Sequence, residues 1–149
     1  MKTLLVAVDN SVIARKVVSL ASEQALALQA EVMVVCCVDA SYADSGPFDI
    51  EAGEDPGDFG LALDEQNTAE AVVRQALAEL HRAGVVARGR VVAGESAETI
   101  VAESNRLQAA MIIMGRRHLS SFNRLLKGSC SAAVIERASC PVLVDVRAD

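Results

Sequence analysis

The stretch TLLVAVDNSVIARKVVSLASEQALALQAEVMVVCCVD, residues 3–39, decides the fold of this chain. It begins with the apolar run TLLVAVD, residues 3–9, and ends with EVMVVCCVD, residues 31–39, and both runs are typical of buried strands. Between them, the apolar residues of 11–29 recur at helical spacing. A strand, a helix and a strand in this order predict a βαβ unit with parallel strands and a right-handed crossover.

The rest of the chain continues the alternation of helices and strands. Helices are predicted over residues 63–83, 96–107 and 129–138, and strands over residues 85–94, 109–115 and 141–146. Together these elements predict an α/β fold, a doubly wound five-stranded parallel sheet with helices on both faces. An apolar content of 52% with only 3% aromatic residues fits such an aliphatic core. We expect one domain over residues 1–149, with Ser96 as the N-cap of its helix.

Residues 40–62 differ in composition from the rest of the chain. They carry six carboxylates and no lysine or arginine, together with four glycines and two prolines. This composition predicts a long, acidic, mobile loop. A lid, a contact with a partner and plain disorder are all compatible with it. One hypothesis is that it folds over the basic residues of 116–127 as a charged lid.

The composition of the chain also argues against several classes of function. A formal net charge of −6 argues against nucleic-acid binding, which favours a basic balance. The first apolar run stops at Asp9, too early for a signal peptide, and no run approaches the roughly 20 residues of a membrane span. We therefore expect a cytoplasmic protein without membrane or nucleic-acid partners. The four cysteines form no CxxC motif, and we expect reduced, mostly buried thiols and no metal site.

The passage MGRRHLSSFNRLLKGSCS, residues 114–131, is the most unusual in this acidic chain. It holds four basic residues and no carboxylate: Arg116, Arg117, Arg124 and Lys127. In an open parallel sheet, ligands bind beyond the carboxyl ends of the strands where the winding reverses. If the first and fourth predicted strands are neighbours, Asp9 and Gly115 meet at that crevice. The basic residues then either contact an anionic ligand or form a solvated surface.

The residues of this crevice have a definite chemistry. Gly115 has no Cβ and permits a close approach to the backbone. Gly128 and Ser129 open a helix whose first N–H groups lack intrahelical partners, which is the property of a phosphate site. Ser129 either caps this helix or donates to a phosphate. Asp9 either binds ribose hydroxyls or Mg²⁺, or caps the first helix. The motifs GxxxxGK[ST], GxGxxG and GxSxG are all absent.

Over nearly its whole length the sequence resembles the universal stress protein family. The likeness is carried by VAVD in the first strand, VD in the second, MG in the fourth, and Cys140-Pro141-Val142 near the end. Its most specific part is the pattern G-x-x-G, nine residues, G-[ST], which Gly115, Gly128 and Ser129 fit. The second glycine of the pattern is His118 in this chain. The resemblance implies a Rossmann-like fold of the adenine nucleotide α-hydrolase type.

The resemblance also implies where a nucleotide would bind. Adenine and ribose would lie near Ala7, Asp9, Val38 and Met114. The phosphates would meet Gly115, His118, Gly128, Ser129 and the amide of Cys130. A histidine that needs a positive φ costs roughly 1–2 kcal/mol, on the order of tenfold in affinity. His118 then either weakens the site, donates to a phosphate, or faces solvent.

Three functional hypotheses follow. The first is a stress protein that regulates through bound ATP or another adenine nucleotide, with or without Mg²⁺. The second is a dimeric interaction module of the same family that has lost nucleotide binding because of His118, with an unknown protein partner. The third is a small enzyme with at most slow ATP hydrolysis, for which no catalytic residue set can be assembled. The family commonly forms two-fold dimers through the last strand, where Asp145 either allows pairing or acts as a gatekeeper against it.

Overall fold

The computed structural model describes residues 1–10, 13–38, 48–51, 65–116 and 130–147. Six strands form one sheet: β1 Thr3–Val8, β2 Glu31–Val38, β3 Phe48–Glu51, β4 Ala87–Ala93, β5 Met111–Gly115 and β6 Val142–Asp145. Four helices accompany them: α1 Ile13–Leu28, α2 Glu65–Arg82, α3 Ser96–Leu107 and α4 Cys130–Arg137. The predicted elements are thus all present, with ends that shift by up to two residues.

The strand order is β3-β4-β2-β1-β5-β6, with every neighbouring pair parallel except β3 and β4. The doubly wound α/β class is therefore confirmed. The predicted number of five strands and the all-parallel pairing are wrong, because β3 adds an antiparallel strand at one edge. It lies inside the segment expected to be a loop, where its acidic residues concealed a four-residue alternation of polar and apolar side chains. The other residues of 40–62 lie outside the described part of the chain.

Two apolar layers cover the two faces of the sheet. Alternate residues of β1 separate them: Leu4, Val6 and Val8 pack with α1 and α2, whereas Leu5 and Ala7 pack with α3 and α4. This is the alternation that strand geometry requires. Because β1 is covered on both faces, it reads as a continuous apolar run rather than an alternating one.

Close packing of α2 on β4 depends on Gly89. A Cβ at this position would lie 2.2 Å from Cγ1 of Val73 and 3.2 Å from Cδ1 of Leu77. Both of those side chains are buried in the layer between α2 and the sheet. The missing side chain at Gly89 therefore sets how closely α2 approaches the sheet.

Candidate functional site

The strand order creates a crevice between the ends of β1 and β5. From β1 the chain winds through β2 to β4 on one side, and β5 and β6 lie on the other side. Strands β1 and β5 are neighbours, with the pairs Leu4↔Met111, Leu5↔Ile112 and Val6↔Ile113, so the condition set in the sequence analysis is met. The carboxyl ends of β1 and β5 consequently open side by side at the point where the winding reverses.

Several predicted site residues meet at this crevice on one face of the sheet. Ala7 and Met114 are buried in the layer beneath α3 and α4, and Cys130 packs against the same layer. Asp9 follows β1 directly and is half-buried, and Gly115 ends β5. These five residues therefore provide an apolar floor, a carboxylate, a glycine and the first residue of a helix at one place.

Val38 is placed differently from the other predicted residues. It ends β2, but its side chain is buried in the layer beneath α1 and α2, on the opposite face from Ala7. Its carbonyl oxygen accepts a hydrogen bond of 2.9 Å from the amide of Gly94. The side chain of Val38 thus faces away from the floor formed by Ala7 and Met114.

The start of α4 is attached to the ends of the last two strands. The hydroxyl of Ser131 donates to the carbonyl oxygen of Arg116 at 3.2 Å. The amide of Arg116 in turn donates to the carbonyl oxygen of Asp145 at 3.0 Å. These bonds hold the first turn of α4 beside the end of β5, at the carboxyl edge of the sheet.

Two thiols of the crevice are held in the neutral form. Burial raises the pKa of Cys130 to about 12, and the charges of Glu95 and Asp9 add to the shift. Burial also raises the pKa of Cys37 well above its ordinary value, with smaller contributions from Cys36, Cys130 and two carboxylates. Both thiols are therefore protonated near neutral pH and are poor nucleophiles. Neither adds a negative charge where an anion would bind.

The sequence analysis missed Glu95, which caps α3 at the edge of the same crevice. Its carboxylate accepts hydrogen bonds from the amide of Ala97 at 3.1 Å and from that of Glu98 at 2.7 Å. The prediction of Ser96 as the N-cap is therefore wrong. Serine is the more common N-cap, so the letters alone favoured it.

A groove of about 240 Å³ lies on the other face of the sheet, between α1 and α2. It shares Asp9 with the crevice and has an apolar floor with a polar rim. Its lining residues are Val8, Asp9, Asn10, Ala14, Arg15, Val18, Val72, Gln75, Ala76 and Glu79. An ion pair of 3.4 Å between Arg15 and Glu79 joins the two helices across it.

Some predicted residues lie outside the described part of the chain, namely His118, Gly128 and Ser129. The same holds for Arg117, Arg124 and Lys127 of the basic stretch, whereas Arg116 is described and exposed. Among the described residues, no three histidine, cysteine or acidic side chains lie close enough to hold a metal ion. None of the helices in those ranges is long and apolar enough to cross a membrane.

Comparison with known proteins gives a consistent result. The sequence model of the universal stress protein family matches residues 1–147. Universal stress protein Sll1388 of Synechocystis sp. is 28% identical over 150 residues, which cover 95% of either chain. The universal stress protein from Archaeoglobus fulgidus, solved in complex with dAMP, has 22% identity and a TM-score of 0.66 over 97% of both chains. A family protein from Arabidopsis thaliana with AMP bound has 14% identity and a TM-score of 0.65, covering 99% of this chain and 93% of that one.

Proposed function

The chain belongs to the universal stress protein family, and on this premise we propose that it is a regulatory protein that binds an adenine nucleotide, ATP in the first instance. The proposed site is the crevice between the ends of β1 and β5. One observation carries the proposal: Ala7, Asp9, Met114, Gly115 and the first turn of α4 converge there, where the winding of the sheet reverses. Structures of the same fold with dAMP and AMP bound support this ligand class.

Different residues of the crevice suit the base, the ribose and the phosphates of this ligand. Ala7 and Met114 offer an apolar surface to a base, and Asp9 is the acceptor for ribose hydroxyls. The amide of Cys130, at the start of α4, is the proposed donor for a phosphate oxygen. The thiol of Cys130 is neutral, so it does not repel a phosphate.

Two carboxylates argue for a cation beside the phosphates. Glu95 and Asp9 both act electrostatically on Cys130, so their negative charge reaches the start of α4. A phosphate bound there would be repelled by both charges unless a cation screened them. The carboxylate of Asp9 would be the protein ligand of a phosphate-bound Mg²⁺ in this proposal, since such sites use one or two carboxylates.

A second candidate function is a family interaction module without a nucleotide. His118 in place of the glycine of the family pattern favours it. In both cases we propose a cytoplasmic homodimer that pairs through β6, the edge strand opposite β3. Asp145 is buried and paired with Arg147 of its own chain, which removes its charge as an obstacle to pairing. Static light scattering of the wild type and of Val146→Lys, which places a charge beside this edge, tests the dimer.

Nucleotide binding is tested by calorimetry on protein purified without added nucleotide. The denatured protein is first analysed for released adenine nucleotides, and the stripped protein is then titrated with Mg-ATP and with Mg²⁺ and AMP. We expect binding by the wild type and a loss of roughly tenfold to a hundredfold in Asp9→Asn, since a hydrogen bond to a charged group contributes about 1.5–3 kcal/mol. Glu136→Gln, an exposed position of α4, is the matched control and should bind as the wild type does.

His118→Gly separates the two candidate functions. Binding by the wild type and by His118→Gly supports the nucleotide function. Binding by His118→Gly alone supports the interaction module, with the histidine closing the site. Absence of binding in both proteins, each folded by circular dichroism, would rule out the nucleotide proposal.

A further inference from the structure

Strand β3 is a short strand that pairs with the outer edge of β4. Its four residues pair antiparallel with β4, in the register Asp49↔Arg90, Ile50↔Gly89 and Glu51↔Arg88. Residues 39–47 and 52–64 connect it to the rest of the fold. We call the outer side of β4 from Arg88 to Val91 the docking edge.

Opposite charges set the register on one side of this pair. Each acidic residue of β3 stands directly across from an arginine of β4, and Nη1 of Arg90 lies 3.4 Å from Oδ1 of Asp49. Opposite charges placed in this way stabilise an antiparallel pair, whereas like charges destabilise it. A one-residue slip would place Ile50 against an arginine and lose both matches.

Arg90 of the docking edge is also held by a residue outside β3. Its Nε lies 3.2 Å from Oε1 of Glu103 on α3, and that carboxylate also pairs with Nη2 of Arg106 at 3.0 Å. The side chain of Arg90 is only 16% exposed, and that of Glu103 only 9%. Glu103 therefore holds the guanidinium of Arg90 from the side of α3, in addition to Asp49 on β3.

An apolar anchor lies on the other side of the pair. Ile50 is 1% exposed and belongs to the same buried layer as Val73 and Leu77 of α2. It pairs with Gly89, the position at which a Cβ would clash with Val73. The docking edge therefore combines two cations on one face, an apolar recess on the other, and the backbone groups of β4 between them.

We infer that the docking edge is a peptide-binding surface, which residues 48–51 occupy within the same chain. The external ligand is an extended segment of another protein in which an aliphatic residue is flanked by two acidic ones. Addition of a strand to a sheet edge takes affinity from the main chain and specificity from alternate side chains. Here the specificity elements Arg88, Arg90 and the recess at Gly89 all belong to β4, where Arg88 also pairs with Glu31 at 3.8 Å and Arg90 with Glu103 at 3.2 Å, both outside β3. This inference does not depend on nucleotide binding.

Direct binding of a peptide tests the inference. The probe is a fluorescein-labelled peptide of residues 46–53, GPFDIEAG. The protein that binds it, called the host, is the full chain with Ile50→Asp, because this substitution removes the apolar side chain that anchors β3. We expect this host to bind at least roughly tenfold more tightly than the wild type, whose edge is already occupied. Binding should weaken roughly threefold to tenfold between 0.05 and 0.5 M NaCl, because charge pairs at the surface are screened. Arg90→Gln in the same host should reduce the salt-dependent part, because only Arg88 then remains opposite an acidic residue.

The controls separate docking from nonspecific attraction and from misfolding. The peptide GPDEFIAG has the same composition without the alternation and should not bind. Asp49→Lys is a second host that keeps Ile50, for use if Ile50→Asp does not fold. In either host, hydrogen exchange of the amides of Ala87–Ala93 should speed up and should slow again on addition of the peptide.

Three results would overturn the inference. The first is a folded host that does not bind the peptide, and the second is equal binding of the two peptides. The third is salt-sensitive self-association of the wild type that Ile50→Asp removes, since the edge would then serve strand exchange between copies rather than a different protein.

Discussion

Asp145 and Arg147, two residues apart at the end of β6, form a two-point ion pair. Nη2 of Arg147 lies 2.7 Å from Oδ2 of Asp145, and Nε lies 2.9 Å from Oδ1. The amide of Arg147 also donates to Oδ1, at 3.0 Å. The side chain of Asp145 is only 2% exposed, so this pair is how a carboxylate is tolerated at the end of an otherwise apolar edge strand.

The ion pair predicts a specific pH dependence of stability. The hydrogen bonds from Arg147 hold the pKa of Asp145 below its ordinary value. A carboxyl with a lowered pKa stabilises the fold fully above its unfolded pKa of about 3.9, and this contribution is lost as the pH falls through the folded pKa. We expect the wild type to be more stable than Asp145→Asn at pH 7, with a gap that closes in that acid range. Urea unfolding between pH 2 and 8 measures it.

Arg147→Gln is the matched control for this prediction. It removes the donor and keeps the acid, so the pKa of Asp145 should return towards its ordinary value and the same acid-dependent stability should disappear. A gap between the wild type and Asp145→Asn that stayed constant down to pH 2 would contradict the assignment.

Gly89→Ala should destabilise the fold by about 1–3 kcal/mol, the usual effect of overpacking a core. The reason is that the added methyl group would overlap Val73 unless α2 moved away from the sheet. The free energy of unfolding in urea gives the effect. In the background of Val73→Ala, which removes the clashing methyl groups, Gly89→Ala should cost markedly less. Equal costs in the two backgrounds would show that the contact with Val73 is not the cause.

Gln108→Gly should stabilise the protein by about 0.5–1 kcal/mol. Gln108 follows α3 with φ 51° and ψ 51°, a left-handed conformation that a residue with a Cβ adopts at a cost. The gain is partly offset by the greater freedom of glycine in the unfolded chain. Gln75→Gly, at an exposed position inside α2, is the opposite control and should lose about 1 kcal/mol. Thermal and urea unfolding of both variants check the contrast, and a loss at both positions would refute it.

Cys130 should react very slowly with iodoacetamide at neutral pH. Its pKa of about 12 lies three units above the ordinary value of 9.0, so the reactive thiolate is about a thousandfold rarer than in an unfolded chain. Site-resolved mass spectrometry over pH 7–11 measures the rate. Glu95→Gln removes one of the charges that raise this pKa and should speed the reaction. Fast alkylation of Cys130 in the folded wild type at pH 7 would contradict the buried, neutral thiol.

Most of the parallel sheet could be predicted from local patterns. Runs such as residues 3–9 and 31–39 are long, continuous and apolar because their strands are covered on both faces. Strands joined by helical crossovers run in one direction, but only the strand order of the folded sheet makes β1 and β5 neighbours. Ala7, Met114 and Cys130 then met on one face, as expected of residues near those ends.

Two of the errors depend on tertiary packing, and one depends on a local choice between two neighbouring caps. The strand at residues 48–51 reads as part of an acidic loop, because the arginines that stand opposite its acidic residues, Arg88 and Arg90, lie about 40 residues further along the chain. Glu95 caps α3 instead of the expected serine, because its carboxylate accepts hydrogen bonds from two amides that follow it in the chain. The side chain of Val38 turned to the opposite face from Ala7, which depends on the phase of β2 relative to β1.

The sequence by itself determined the α/β class, the alternation of strands and helices, the family and the edge of the sheet at which a ligand is expected. These features depend on hydrophobic periodicity and short motifs, which are local properties of the chain. Only the tertiary structure decided that an acidic segment supplies a sixth strand, that Arg90 is fixed between Asp49 and Glu103, and that the thiols of the crevice stay neutral. Each of these depends on the burial of a group or on a charge brought close by folding, and neither quantity exists until the elements have packed.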